Sequence, residues 1–228
     1  MCALAFRSVV RIAHLFASQP LMEAPVTTLS PSLTRPGTLA DLIPGTGATA
    51  IVRDAALIVG GAALTGLAAP VSITIPSISP VPYTLQTFAV LLVGASFGWL
   101  RGALSMALYL AAGLAGVPWF QGADSGYDAA RATMGYLVGF IVAAAVVGYL
   151  SGRGNDRRFL SSTAEMFLGT LIIYAIGVPV LMNALDVNLA TGLEYGLYPF
   201  VITDTLKVLA AAGLFPLAWR IVEKVKKG

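Results

Sequence analysis

Asp204 and Lys207 stand three residues apart in Thr203-Asp204-Thr205-Leu206-Lys207, inside an otherwise apolar stretch. At helical spacing both side chains point to one face. Each charge costs about 2.5–3.5 kcal/mol at the centre of a membrane helix on insertion scales, and less near an end. Ionisable residues in such stretches face a bundle interior or an aqueous cavity and by default mark function. The structural alternative is a self-neutralising pair, or a lysine that snorkels outward. The pair offers an acceptor-only carboxylate beside a donor-only ammonium. That combination suits a small neutral polar group with N–H donors and a C=O, such as an amide or a urea. A proton relay suits it less, beside a fixed ammonium.

Three further features carry chemistry. Gln86 follows the rigid run Pro80-Val81-Pro82-Tyr83-Thr84-Leu85, just inside an apolar stretch, where its amide can bond a ligand as donor and acceptor. The alternative is a capping or interhelical glutamine. The segment 117–126 combines glycines with Trp119 and Phe120, the composition of a mobile lid with aromatic rings to cover an apolar guest. Arg131 closes this polar segment as a cation suited to an anionic group, or to a surface pair with Asp124 or Asp128. Ala56, Gly60 and Ala63 line up small residues on one helix, which lets another helix approach closely.

Several chemistries are excluded. The chain has one cysteine, Cys2, and one histidine, His14, far from the apolar body. That leaves no internal disulfide, no Cys/His metal site and no histidine-based triad in that body. No metal or cofactor is expected. No GxxxxGK[ST] loop is present, so ATP is not hydrolysed by that route.

These residues need elements to hold them, and composition says which. Of 228 residues, 57% are hydrophobic and 11% are charged, with a mean hydropathy of +0.82. Soluble domains carry about 25% charged residues, so the expected solvent is lipid. Apolar stretches run over 51–69, 83–99, 101–116, 133–150, 163–185 and 198–222. The fold class read from them is an all-α integral membrane protein with six transmembrane helices. The proline-rich run 70–82 cannot be a lipid-facing helix and reads as a loop or short hairpin. Residues 121–131 read as a polar loop, and a second loop carries Asp186 and Glu194.

With the first span starting in the cytoplasm, twelve of the 14 basic residues fall on that side, Arg131 falls outside and Lys207 lies within a span. This positive-inside pattern puts both termini in the cytoplasm and accounts for the formal charge of +3 without nucleic acid. Residues 1–50 read as a cytoplasmic arm, disordered or carrying a mis-assigned start with Met22 as the true one, and 51–228 as the membrane domain. The run 1–18, with Arg7, Arg11 and His14, leaves a signal peptide or a surface-lying amphipathic helix open.

Four motifs, taken in order, resemble one known family. They are Pro80-Val81-Pro82-Tyr83-Thr84-Leu85-Gln86-Thr87, Gly113-Leu114-Ala115-Gly116-Val117-Pro118-Trp119-Phe120, Gly135-Tyr136-Leu137-Val138-Gly139-Phe140 and Asp204-Thr205-Leu206-Lys207. The set is similar to the BioY family, biotin-binding S components of energy-coupling factor (ECF) transporters, over about 51–219. The resemblance implies a compact bundle of six helices in the bacterial cytoplasmic membrane, with an outward-facing biotin cavity and no enzymatic activity. It implies docking on a membrane scaffold, the T component, that carries two ABC-type ATPases, with biotin carried across as the S component reorients. The family's docking face falls on Ala56 and Gly60, with Ala63 following.

By the same resemblance, Asp204 accepts from the ureido N–H groups and Lys207 donates to the ureido oxygen. The family loop Gly-Pro-Thr-Gly-Gly-Tyr stands here as Arg131-Ala132-Thr133-Met134-Gly135-Tyr136, matching at Thr133, Gly135 and Tyr136. Arg131 replaces a glycine, which points it toward the biotin carboxylate. Gln86 and Trp119 complete the expected site. Two readings from other classes remain beside this one: an intramembrane enzyme using Asp204 as acid or base, and a ligand-free membrane assembly factor.

Overall fold

The computed structural model describes residues 37–227. Expectations for residues 1–36 lie outside the described residues. Helix α1, Ala48–Ala68, follows Gly47 at φ 54° and stops before Pro70, which cannot continue a helix. At about 1.5 Å per residue its 21 residues span about 30 Å, the thickness of a bilayer core. The proline-rich run then forms a short hairpin. Strand β1, Ser72–Ile73, pairs antiparallel with β2, Tyr83–Thr84, in the register Ser72↔Thr84 and Ile73↔Tyr83.

Helix α2, Gln86–Phe97, has only 12 residues and α3, Trp99–Leu114, has 16. They meet at Gly98, whose φ of 85° ends one helix and starts the other. The apolar stretch 83–99 is therefore not one helix. Its first residues are extended, so α2 begins inside the protein, where Gln86 is buried.

A 3-10 turn at Gln121–Ala123 and a five-residue helix α4, Gly126–Ala130, stand where a polar loop was expected. Helix α5, Met134–Gly152, is the central element, packed against α2, α3 and α6, Phe159–Leu185. Small residues allow this. A Cβ on Gly94 would lie 2.9 Å from the Ala144 backbone, and one on Gly139 3.0 Å from Ile173 Cα. Asp186 and Glu194 were expected in one loop. Instead Asn188 caps a helix α7, Leu189–Gly196, by accepting from the Thr191 N–H at 3.0 Å. A turn at Tyr198–Phe200 leads into α8, Val201–Val225, which packs on α6.

Among the described residues, four segments are long and apolar enough to cross a membrane: Ala48–Ala68, Met134–Gly152, Phe159–Leu185 and Leu189–Val225. Helices α2 and α3 are apolar but shorter. Exposed Ile51, Val52, Val59 and Leu67 on α1 suit lipid or another apolar surface.

Residues 37–43 are not a free linker. Thr38 and Asp41 form a capping box around a 3-10 turn, Leu39–Leu42. Asp41 pairs with Arg101 at 2.7 Å, and Arg101 reaches Asp54 at 3.3 Å. The expected boundary at residue 51 thus falls inside α1.

A second polar lock lies at the turn between α5 and α6. Asp156 is fully buried and accepts from Trp219 Nε1 at 2.5 Å, tying the turn to α8. Arg157 lies over the same indole at 4.3 Å. Burial pushes the Asp156 carboxyl up to about 6, against the lowering effects of Trp219 and Arg157. A carboxyl raised above its unfolded value of 3.8 keeps its proton more readily in the folded state, so stability falls as pH rises through that window. Thermal unfolding in detergent should show a midpoint that drops between pH 4 and 6 more steeply in the native chain than in Asp156→Asn. Equal slopes would show that Asp156 does not contribute.

Candidate substrate-binding site

Asp204 sits in the first turn of α8 and is 4% exposed. Lys207, one turn on, closes an ion pair with Asp204 Oδ1 at 2.6 Å. The ammonium reaches across to the hairpin and α2, donating to Thr84 O at 2.7 Å and to Thr87 Oγ1 at 3.2 Å. The Thr87 hydroxyl donates to Asp204 Oδ1 at 3.2 Å. From α6, Tyr174 Oη donates to Asp204 Oδ2 at 2.6 Å. The late start of α2 makes this possible. Thr84 is extended and its carbonyl has no helical partner, so it is open to the lysine.

A cavity of about 170 Å³ adjoins these groups. Its polar wall includes Thr84, Gln86, Thr87, Tyr109, Asp204 and Lys207. Its apolar wall includes Phe120, Leu137, Phe140, Ile173 and Phe200. Gln86 Nε2 donates to Tyr109 Oη at 2.7 Å, and that hydroxyl donates to Trp119 O at 3.2 Å. The arrangement can bind a compact guest that is polar at one edge and apolar in its body. Among the described residues no group of three or more His, Cys, Asp or Glu could hold a metal ion.

The cavity brings together five of the expected site residues: Asp204, Lys207, Gln86, Thr133 and Tyr136. Tyr136 lines it with its ring while its hydroxyl donates to Gly196 O at 2.8 Å, joining α5 to the end of α7. Three others do not line it. Gly135 faces α6, where a Cβ would lie 2.5 Å from the Val180 side chain. Trp119 stands behind Tyr109, with ring centroids 5.3 Å apart, and donates from Nε1 to Tyr109 O at 3.0 Å. Arg131 is exposed at the end of α4, next in sequence to the lining residues Ala132 and Thr133.

Phe120, expected as a ring to cover an apolar guest, lines the cavity, whereas Thr87, Tyr109 and Tyr174 are lining residues that were not expected at the site. The available signal was a phenol or hydroxyl within an apolar stretch, which needs a partner when buried.

The charged pair is set against removal of one member. Lys207→Met leaves a buried carboxylate without its cation and should destabilise the ligand-free protein by about 3 kcal/mol or more. Asp204→Asn/Lys207→Met should recover most of that loss in thermal unfolding, and a double variant as unstable as the single would contradict the coupling.

A sequence profile described as the BioY family matches residues 37–224. The chain is 36% identical over 160 residues to a probable biotin transporter BioY of Pyrococcus horikoshii, covering 70% of this chain and 91% of that one. It is 37% identical over 141 residues to the biotin transporter BioY of Thermotoga maritima, covering 61% and 81%. With a probable biotin transporter BioY of Lysinibacillus sphaericus it shares 39% identity over 127 residues, covering 55% of this chain and 63% of the relative. In fold it matches the crystal structure of an S component for biotin from an ECF-type ABC transporter, with a TM-score of 0.69 at 19% identity, covering 77% of this chain and 95% of the other. On the family profile, the Pyrococcus relative and the all-helical membrane fold, the chain belongs to the BioY family.

Proposed function

We propose that this chain is the biotin-binding S component of an ECF-type uptake transporter, a multi-pass protein of the bacterial cytoplasmic membrane. The observation that carries the reading is the Asp204–Lys207 pair at 2.6 Å on the wall of a cavity that is lined by apolar side chains as well. Biotin has this division: a cyclic urea fused to a thioether ring. Asp204 accepts from a ureido N–H and Lys207 donates to the ureido oxygen. Leu137, Phe140 and Ile173 cover the bicyclic body, and Gln86, Thr133 and Tyr136 line the remaining wall. The valerate carboxylate extends toward Arg131. No step of this scheme breaks a covalent bond, and the protein is not an enzyme.

Six crossings with both termini in the cytoplasm fit the positive-inside count and the six apolar helices. The energising partners are a T component and two ABC-type ATPases, docked through α1. Ala56 and Gly60 are exposed there, Ala63 is half-buried, and a Cβ on Gly60 meets nothing within 4 Å, so the stripe is open to a close helix contact.

Equilibrium binding of biotin to the purified chain tests the site. Asp204→Asn and Lys207→Ala should each weaken binding by about 10-fold to 100-fold, the worth of one or two hydrogen bonds to a charged group. Arg158→Ala, distant from the cavity lining, should leave it unchanged. Equal effects of all three substitutions would overturn the assignment. Recovery of chemically altered biotin would favour an enzyme instead, and no binding at all a structural factor.

A further inference from the structure

The Asp204 carboxylate is shared unequally between its neighbours. Oδ1 accepts from Lys207 Nζ at 2.6 Å and from Thr87 Oγ1 at 3.2 Å, which uses both of its lone pairs. Oδ2 accepts from Tyr174 Oη at 2.6 Å, which leaves one. Lys207 is fully engaged as well: its three N–H donors go to Asp204, to Thr84 O at 2.7 Å and to Thr87 Oγ1 at 3.2 Å. The longest of these contacts is the one to Thr87, and it is the one a carbonyl guest can replace. Tyr174 is 9% exposed, lines the cavity, and meets the Tyr136 ring edge-on at 6.4 Å.

We propose that Tyr174 is a positioning residue that sets ligand specificity, by filling one acceptor direction of Asp204 Oδ2 and leaving a single open one for an N–H of a neutral cyclic urea. The inference rests on the reading of this cavity as a biotin site and extends it. A cyclic guanidinium fits the arrangement poorly for three reasons. It has no carbonyl to take the Lys207 proton now shared with Thr87, and it brings a second cation against the ammonium. Its extra N–H donors also find the carboxylate already occupied by the tyrosine. Tyr174 thus discriminates through Asp204, without needing to touch the guest.

Two probes test this on the full chain in detergent: biotin, and 2-iminobiotin, in which C=NH replaces the ureido C=O and is protonated at neutral pH. Tyr174→Phe keeps the ring and removes the hydroxyl. Its biotin affinity should fall by about tenfold or more, while 2-iminobiotin changes by less than about threefold or binds more tightly, so the preference for biotin drops by about tenfold. Tyr136→Phe is the comparison, because its hydroxyl serves Gly196 O and not Asp204. It should move both probes by one common factor, as lost packing does. If Tyr174→Phe also moves both probes equally, or moves neither, Tyr174 does not set specificity. A native chain that binds neither probe would instead overturn the biotin reading itself.

Discussion

An ion pair held inside an apolar bundle constrains everything around it. Asp204 is buried and Lys207 largely so, so each needs protein partners, and these come from three separate segments. Thr84 and Thr87 lie at the hairpin and the start of α2, and Tyr174 lies on α6. The pair therefore joins α8 to all three. Its polar groups are nearly saturated without a guest, which lets the protein hold two charges in place in an apolar interior. On the proposed reading, a guest takes the open acceptor direction of Asp204 and exchanges with the Thr87 contact of Lys207, at a site whose geometry is already set.

The backbone around the pair is arranged to the same end. Had α2 extended through Tyr83, the Thr84 carbonyl would have a helical partner and would not be open to Lys207. The prolines of the run 70–82 prevent that, and the short ladder between β1 and β2 holds the extended residues. Glycines on α2 and α5 bring backbones into contact, so α5 presents Tyr136, Leu137 and Phe140 to the cavity from the centre of the bundle. Small residues thus act on the site from a distance, by setting how far apart its walls stand.

The sequence showed the polar centre of the site more clearly than its walls. Asp204 and Lys207 are conspicuous because charge in an apolar stretch is rare, and their three-residue spacing places them on one helix face. The hairpin was legible from its prolines. The short α2 was not, since hydropathy is the same for an extended apolar residue as for a helical one. Tyr174 lies in a long apolar run, where a phenol signals that some partner exists but not which. Residues 37–43 look like a linker by composition, yet Asp41 pairs with Arg101 sixty positions away, a contact invisible to local pattern. Gly135 and Trp119 share motifs with the family but do not line the cavity: Gly135 lets α5 approach α6 at Val180, and Trp119 supports the lining residue Tyr109.

The most direct measurement is a structure of the full chain with biotin bound. The account predicts the ureido ring against Asp204 and Lys207, its oxygen at the ammonium in place of Thr87, and Tyr174 still donating to Asp204 Oδ2. Biotin seated elsewhere, or a Lys207 still bonded to Thr84, Thr87 and Asp204 alone, would contradict it.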